Sequence, residues 1–277
     1  MANVPYPHVM TIAGSDSGAG AGIQADLKTF SALRTYGATV LTAVTAQNTR
    51  EVSAIAEVPE EVVIAQIDGV IEDIGAAAVK TGMLSSRRII VNVVDRLEAW
   101  GVPHLVVDPV MVSKSGVSLL SRDAVDSLRN ELLPLATVVT PNIPEAEVLA
   151  NRKIQGNDDV ELVARIIHEQ GPKFVVIKGG HLKGSPVDLV FDGESLHRLE
   201  AQRVDTTNTH GTGCTFSAAI TAFLAHGLDP LESIRLAKLY VTNALAHSFA
   251  IGAGISPVHH FAPLPQEILD RLGVPAR

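Results

Sequence analysis

Short apolar runs that end in glycine, proline, asparagine or aspartate alternate along this chain with longer stretches of helical periodicity. The runs are "HVMTIAGSD", "ATVLTAVTAQN", "AAAVKTGM", "HLVVDPVM", "ATVVTPN" and "KFVVIKGG". Successive side chains of a strand point to opposite faces, so a run that is apolar at consecutive positions suits a strand covered on both sides. Between the runs, Ile23, Leu27, Phe30 and Leu33 recur at helical spacing, as do Leu231, Ile234, Ala237 and Val241. The alternation predicts βαβ units and a mostly parallel sheet with helices on both faces. A hairpin is expected where "VDLVFDG" meets "ESLHRLEA" across Asp192 and Gly193, at one edge of that sheet. No linker, repeat or low-complexity stretch divides the chain, and residues 1–277 are read as a single domain.

Composition narrows the function. A formal net charge of −8 argues against a broad nucleic-acid or anionic-membrane surface, since both need a basic face. The single cysteine excludes an internal disulfide and any paired-cysteine metal site, which points to a reducing compartment. No run approaches the roughly 18 apolar residues of a membrane helix, and the start of the chain lacks a signal-like pattern. The expectation is a cytoplasmic protein.

The polar residues carry the next step. Asp16, Gln47 with Asn48, Lys80 with Met83, Asp108, Asn142 and Lys178 all fall at the carboxyl ends of predicted strands, where open α/β sheets bind ligands. Each alone is as readily a turn former or cap. "AGSDSGAGAGIQAD" is a glycine-rich turn from strand to helix that lacks both a usable GxGxxG spacing and the GK[ST] of a P-loop. Asp26, early in that helix, reads equally as a ligand-facing acid and as a surface acid favoured by the dipole. Asp108 and Glu145 are hard oxygen donors that suit Mg²⁺, set against a turn aspartate before Pro109 and an ordinary first-turn helix acid. Lys178 ends a buried run, where an ammonium needs a partner such as a nucleotide phosphate or a path to water.

"NTHGTGCTFSAAI" combines two freed backbone positions with a helix start, so the amides of Gly211, Thr212, Gly213 and Cys214 form an anion site. By type, Cys214 is a small buried hydrophobe; by position, its thiol pKa is expected to be lowered, making it a base. The chain has no GxSxG or HExxH motif, and His259 and His260 are read as structural or surface residues.

Taken in order, "TIAGSDSGAGAGIQADLKTFSALRTYG", "TAVTAQNT", "VKTGML", "DPVMVSKSG", "VTPNIPEAE", "VIKGGH" and "NTHGTGCTFSAAI" resemble the hydroxymethylpyrimidine and phosphomethylpyrimidine kinase family of thiamine biosynthesis, over nearly the whole chain. The resemblance implies the ribokinase-like three-layer α/β/α sandwich, ATP as co-substrate, Mg²⁺ and a homodimer. It implies transfer of the ATP γ-phosphate to 4-amino-5-hydroxymethyl-2-methylpyrimidine, then to its monophosphate. By similarity, Gly14, Asp26, Gln47, Met83 and Val110 surround the pyrimidine, Gly211 to Cys214 form the anion hole with Cys214 as base, and Asp108, Asn142, Glu145 and Lys178 serve Mg-ATP, with Lys238 near the nucleotide. Gly18 and Ala19 depart from the family, many of whose members have Ser and Gly there. The rival readings are a pyridoxal or pyridoxine kinase on the same fold, and a non-catalytic ligand-sensing module.

The chemistry of the implied substrates fits the residues. A carboxamide such as Gln47 answers both the donor and the acceptor of an aminopyrimidine edge, and Met83 supplies a polarisable wall. The first acceptor is an alcohol that must lose a proton, whereas the second is a phosphate already ionised near neutrality, so a base at Cys214 matters more in the first step.

Overall fold

The computed structural model describes residues 6–112, 120–179 and 187–273; the ends of the motifs at 108–116 and 176–181 lie outside them. In chain order the elements are β1 (His8–Asp16), α1 (Gly22–Ala32), β2 (Tyr36–Gln47), β3 (Val52–Glu57), α2 (Glu60–Asp73), β4 (Ala78–Thr81), α3 (Arg87–Trp100), β5 (Leu105–Val107), α4 (Arg122–Ser127), β6 (Val138–Val139), α5 (Ile143–Ala150), α6 (Asn157–His168), β7 (Phe174–Ile177), β8 (Val187–Phe191), β9 (Leu196–Glu200), α7 (Thr212–Ala225), α8 (Pro230–Ala246) and α9 (Gln266–Arg271). Among the described residues the strands form one nine-stranded sheet in the order β3-β2-β1-β4-β5-β6-β7-β8-β9. Pairings from β2 through β7 are parallel, and β3, β8 and β9 add antiparallel edges. The β8–β9 hairpin sits at one edge, as its alternating pattern predicts.

The doubly apolar runs have a direct structural cause. Met10, Val79, Val107, Val139 and Val175 enter a core shared with α2, α3, α5 and α6. Their chain neighbours Val9, Ala78, Val106, Val138 and Val176 enter a second core shared with α1, α7, α8 and α9. Both faces of the sheet are therefore covered, giving three layers. The edge strand β3 was not predicted: its "VSAIAE" is almost wholly exposed, so it has no apolar run to announce it.

The sheet order reverses beside β1, which pairs β2 on one side and β4 on the other. Crevices open at such switch points. The register of β1 against β2 shifts between Ala13 and Ser15, a bulge that brackets Gly14 and re-aims the strand end. From there the glycine-rich turn runs into α1, whose start meets the start of α7. Gly211, the N-cap of α7, has φ 74°, and a methyl group on it would lie 1.8 Å from the Gly20 carbonyl oxygen. The two turns are thus in backbone contact.

Gly211→Ala forces both a left-handed alanine and a collision with backbone. It is expected to cost about 2–3 kcal/mol in urea unfolding, and an unchanged midpoint would show that the two turns are not in contact as described.

Candidate active site

A cavity of about 920 Å³ opens over the carboxyl ends of the strands. Of the candidate residues, Gly14, Gln47, Met83, Asp108, Val110, Asn142, Glu145, Lys178, Gly211, Thr212, Gly213, Cys214 and Lys238 all line it. Asp26 is not among the lining residues: it is fully buried, which corrects the surface-acid reading. Its Oδ2 accepts from Thr11 Oγ1 at 2.6 Å and from Lys80 Nζ at 2.8 Å, both partners also fully buried. Burial alone would lower the Lys80 pKa, but the negative charges around it, Asp26 foremost and then Cys214 and Asp108, together reverse it and hold the ammonium charged. Asn48 stays outside the wall and closes a turn, accepting from the amides of Arg50 and Glu51.

The glycine-rich turn is organised by Asp16, which the sequence placed at a strand end without a role. Its Oδ1 accepts from the Gly18 amide at 2.8 Å. Its Oδ2 accepts from the amides of Gly20 at 3.0 Å and Ala21 at 2.8 Å, and lies 3.0 Å from His210 Nε2. Burial opposes the charge, and the His210 and amide hydrogen bonds outweigh it, so the carboxyl is held below its usual range. The turn carries Ala19 at φ 60°, a left-handed conformation that a glycine would adopt without strain.

On the other side, Asn142 and Glu145 form a capping box at the start of α5. The Glu145 amide donates to Asn142 Oδ1 at 2.9 Å, and the Asn142 amide donates to Glu145 Oε2 at 2.8 Å. The helix-cap reading and the ligand reading of Glu145 are thus both met: it caps the helix and still lines the cavity. Lys178 Nζ donates to Asp108 Oδ1 at 3.2 Å, and Ser217 Oγ donates to Asp108 Oδ2 at 3.2 Å. A methyl group on Gly213 would lie 3.3 Å from Lys178 Nζ, so the anion site of α7 and the lysine face the same point. Lys238 Nζ is held by Asp188 Oδ2 at 2.7 Å, and Asp188 Oδ1 also accepts from the Gly179 amide. Among the described residues no three His, Cys, Asp or Glu side chains gather as a metal cluster. A pair of carboxylates, Asp108 and Glu145, suits an ion that keeps water and shares phosphate oxygens, as Mg²⁺ does.

Cys214 departs from expectation. It is half-buried in the first turn of α7, and its sulfur accepts from the Gly22 amide at the start of α1, so two helix starts point at it. Burial foremost, with Asp108 and Asp26, nevertheless pushes the thiol up to about 12 against the pull of Lys80 and the Gly22 amide. The lowered pKa expected from the helix start alone is overturned because two buried carboxylates and loss of water outweigh two dipoles and one ammonium. His260 is structural, as expected: it is buried beside Thr215 Oγ1 at 3.0 Å, and burial lowers its pKa to about 4.

The Phosphomethylpyrimidine kinase family model matches residues 16–259. The hydroxymethylpyrimidine/phosphomethylpyrimidine kinase of Rhizobium meliloti is 54% identical over 91% of this chain and 96% of its own length. The thiamine biosynthesis bifunctional protein ThiED of Geobacter sulfurreducens is 49% identical over 96% of this chain, which spans 55% of that protein. Among solved structures, the pyridoxal kinase of Bacillus subtilis in complex with ADP superposes with a TM-score of 0.87 at 40% identity, covering 93% of this chain and 98% of that one.

Burial raises the Glu145 carboxyl from its ordinary 4.5 to about 7, against the pull of Lys178. A pKa raised on folding favours the fold below the unfolded value and loses that advantage as pH rises through the folded one. Glu145→Gln keeps the cap acceptor, so it is expected to leave ligand-free stability unchanged near about pH 4 and to raise it by about 2 kcal/mol near about pH 8. Thermal unfolding at the two pH values checks this, and equal shifts at both would refute it.

Proposed function

The chain belongs to the phosphomethylpyrimidine kinase family, and from that premise we propose how its residues divide the work. It is a kinase of thiamine biosynthesis that phosphorylates 4-amino-5-hydroxymethyl-2-methylpyrimidine and then its monophosphate, with ATP as co-substrate. The observation that carries the assignment of residues is the meeting of the α7 start with Lys178 and Asp108, on the floor of a cavity whose wall is Gly14, Gln47 and Met83. Residues 1–277 act as one kinase domain.

The pyrimidine lies against Gly14, Gln47, Met83 and Val110, with its hydroxymethyl carbon toward Cys214. Gln47 answers the amine and ring nitrogen, and Met83, whose Cε fills the space a side chain on Gly14 would need, packs on the ring face. Asp26 acts from behind, through Lys80. Asn142, Lys178 and Lys238 hold the ATP phosphates and sugar side of the cavity, and the amides of Gly211, Thr212, Gly213 and Cys214 receive the transferred phosphoryl group. Asp108 and Glu145 hold Mg²⁺, which when bound neutralises phosphate charge. Phosphoryl transfer needs chiefly alignment and such charge stabilisation. A homodimeric, cytoplasmic enzyme completes the reading, supported by the family resemblance, the single cysteine and the exposed Phe249, Ile251 and Phe261 after α8.

The proton of the alcohol goes to Cys214 Sγ when the sulfur is a thiolate, a form favoured by Lys80 and the Gly22 amide and opposed by burial. With the thiol near 12 that form is scarce at neutral pH, so its population grows with pH throughout the accessible range. The single-turnover rate with the alcohol is expected to climb without a plateau up to about pH 9, while the rate with the monophosphate stays flat. Cys214→Ala should abolish the climb and slow the alcohol step substantially more than the phosphate step; equal losses in both would remove Cys214 as the base.

The reaction itself is tested by ADP formation with Mg-ATP and three acceptors: the aminopyrimidine alcohol, its monophosphate, and pyridoxal. Turnover of the first two is expected. Turnover of pyridoxal with none of the monophosphate would make the protein a vitamin B6 kinase, and silence with all three a ligand sensor.

A further inference from the structure

Gln47 has two ends and the structure gives each a neighbour. As placed, the carboxamide Nε2 lies 3.3 Å from His210 Nε2 and Oε1 lies 3.2 Å from Thr45 Oγ1. A half turn about the last side-chain bond exchanges the oxygen and nitrogen between these places, and the neighbours decide which arrangement holds.

His210 decides one end. Its Nε2 lies 3.0 Å from Asp16 Oδ2, a carboxylate oxygen that already accepts two amides and has nothing to donate. Nε2 must therefore carry a hydrogen, whether the ring is neutral or charged. It has no lone pair for an amide N–H of Gln47, so the carboxamide atom facing it is Oε1. The ring packs directly on Gly20, where an added methyl group would lie 2.3 Å from its Cδ2.

Thr45 decides the other end independently. Its Oγ1 lies 2.8 Å from the Ser15 carbonyl oxygen, which only accepts, so the one hydroxyl hydrogen is spent there. Toward Gln47 the hydroxyl has only a lone pair to offer, and the atom facing it is Nε2. Both ends require the same orientation.

We infer that His210 is a positioning residue that, with Thr45, fixes the Gln47 carboxamide with its oxygen on the His210 side and its nitrogen on the Thr45 side, and thereby sets which polar edge of the acceptor the site accepts. This rests on the reading that Gln47 faces the pyrimidine. Oε1 keeps a lone pair and Nε2 keeps a hydrogen for the ligand. The exocyclic amine of the substrate is then directed toward His210, and its ring nitrogen toward Thr45. A heteroaromatic alcohol with an acceptor in place of that amine meets Oε1 with two facing lone pairs, an unpaired buried contact that the locked amide does not relieve by turning.

Three measurements test it. In the wild-type protein, ¹⁵N shifts of the histidine side chains should show His210 Nε2 protonated in the neutral ring; a bare Nε2 overturns the inference. A structure with the aminopyrimidine alcohol should place the amine beside His210. The amine beside Thr45 overturns the inference but leaves Gln47 as the pyrimidine residue, whereas a pyrimidine that does not touch Gln47 removes both. His210→Phe keeps the ring and Thr45→Val keeps the branched shape. Each should raise KM for the aminopyrimidine about tenfold with KM for ATP and kcat little changed, and Thr45→Ser should restore it. Equal changes in both KM values, or no rescue by Thr45→Ser, would mean a structural role only.

Discussion

The Asp16 carboxylate is the constraint on which the rest of the site depends. One oxygen pair collects three amides of a glycine-rich turn and one imidazole, so a segment with no regular structure takes a single shape. That shape puts the start of α1 against Cys214 and the Gly20 carbonyl against Gly211. It also tells His210 where its hydrogen must be, and His210 in turn aligns Gln47. A buried charge with so many donors is stable where an unpaired one would be costly, which is why the turn tolerates even the left-handed Ala19.

Around this turn the charges are arranged in pairs. Lys80 is held by Asp26, Lys178 by Asp108 and Lys238 by Asp188, each with its carboxylate within hydrogen-bond reach. These three lysines, all lining the cavity of a protein of net charge −8, thus carry their own counter-charges. The pairs differ in burial. Lys80 and Asp26 are wholly enclosed and set the field at Cys214, while Lys178 and Lys238 are part-exposed at the cavity, where water weakens the hold of their carboxylates.

Much of this was legible in the sequence, for a physical reason. A strand buried on both faces must be apolar at successive positions and must end where water begins, so "VVTPN" and "FVVIKGG" disclose both the strand and the rim. The two edges show the limit: the β8–β9 hairpin alternates and was visible, but β3 is solvated and was not. Residues at strand ends and helix starts fall around one cavity because their position is set by local chain direction. The burial of Asp26 was not legible because its partner Lys80 lies on β4, fifty-four positions further on. The Cys214 thiol was misjudged for the same reason: a helix start is local, whereas the carboxylates that oppose ionisation come from α1 and from beyond β5. His210 stood in the recognised "NTHGTGC" motif, and only its distance to Asp16 gives it a task.

The bond between Asp16 and His210 joins positions 194 residues apart, and the contact between Gly20 and Gly211 spans nearly the same length. Local contacts form early and distant ones late, because closing a long loop costs entropy before it is rewarded. The first strand and the turn after it emerge from synthesis long before α7 exists to close over them. A growing chain of this protein therefore holds all nine strands before it has α7 and α8, which cover one face of the sheet and line the cavity. Competence to bind arrives with the last quarter of the sequence, so the ligand reports on completion of the chain.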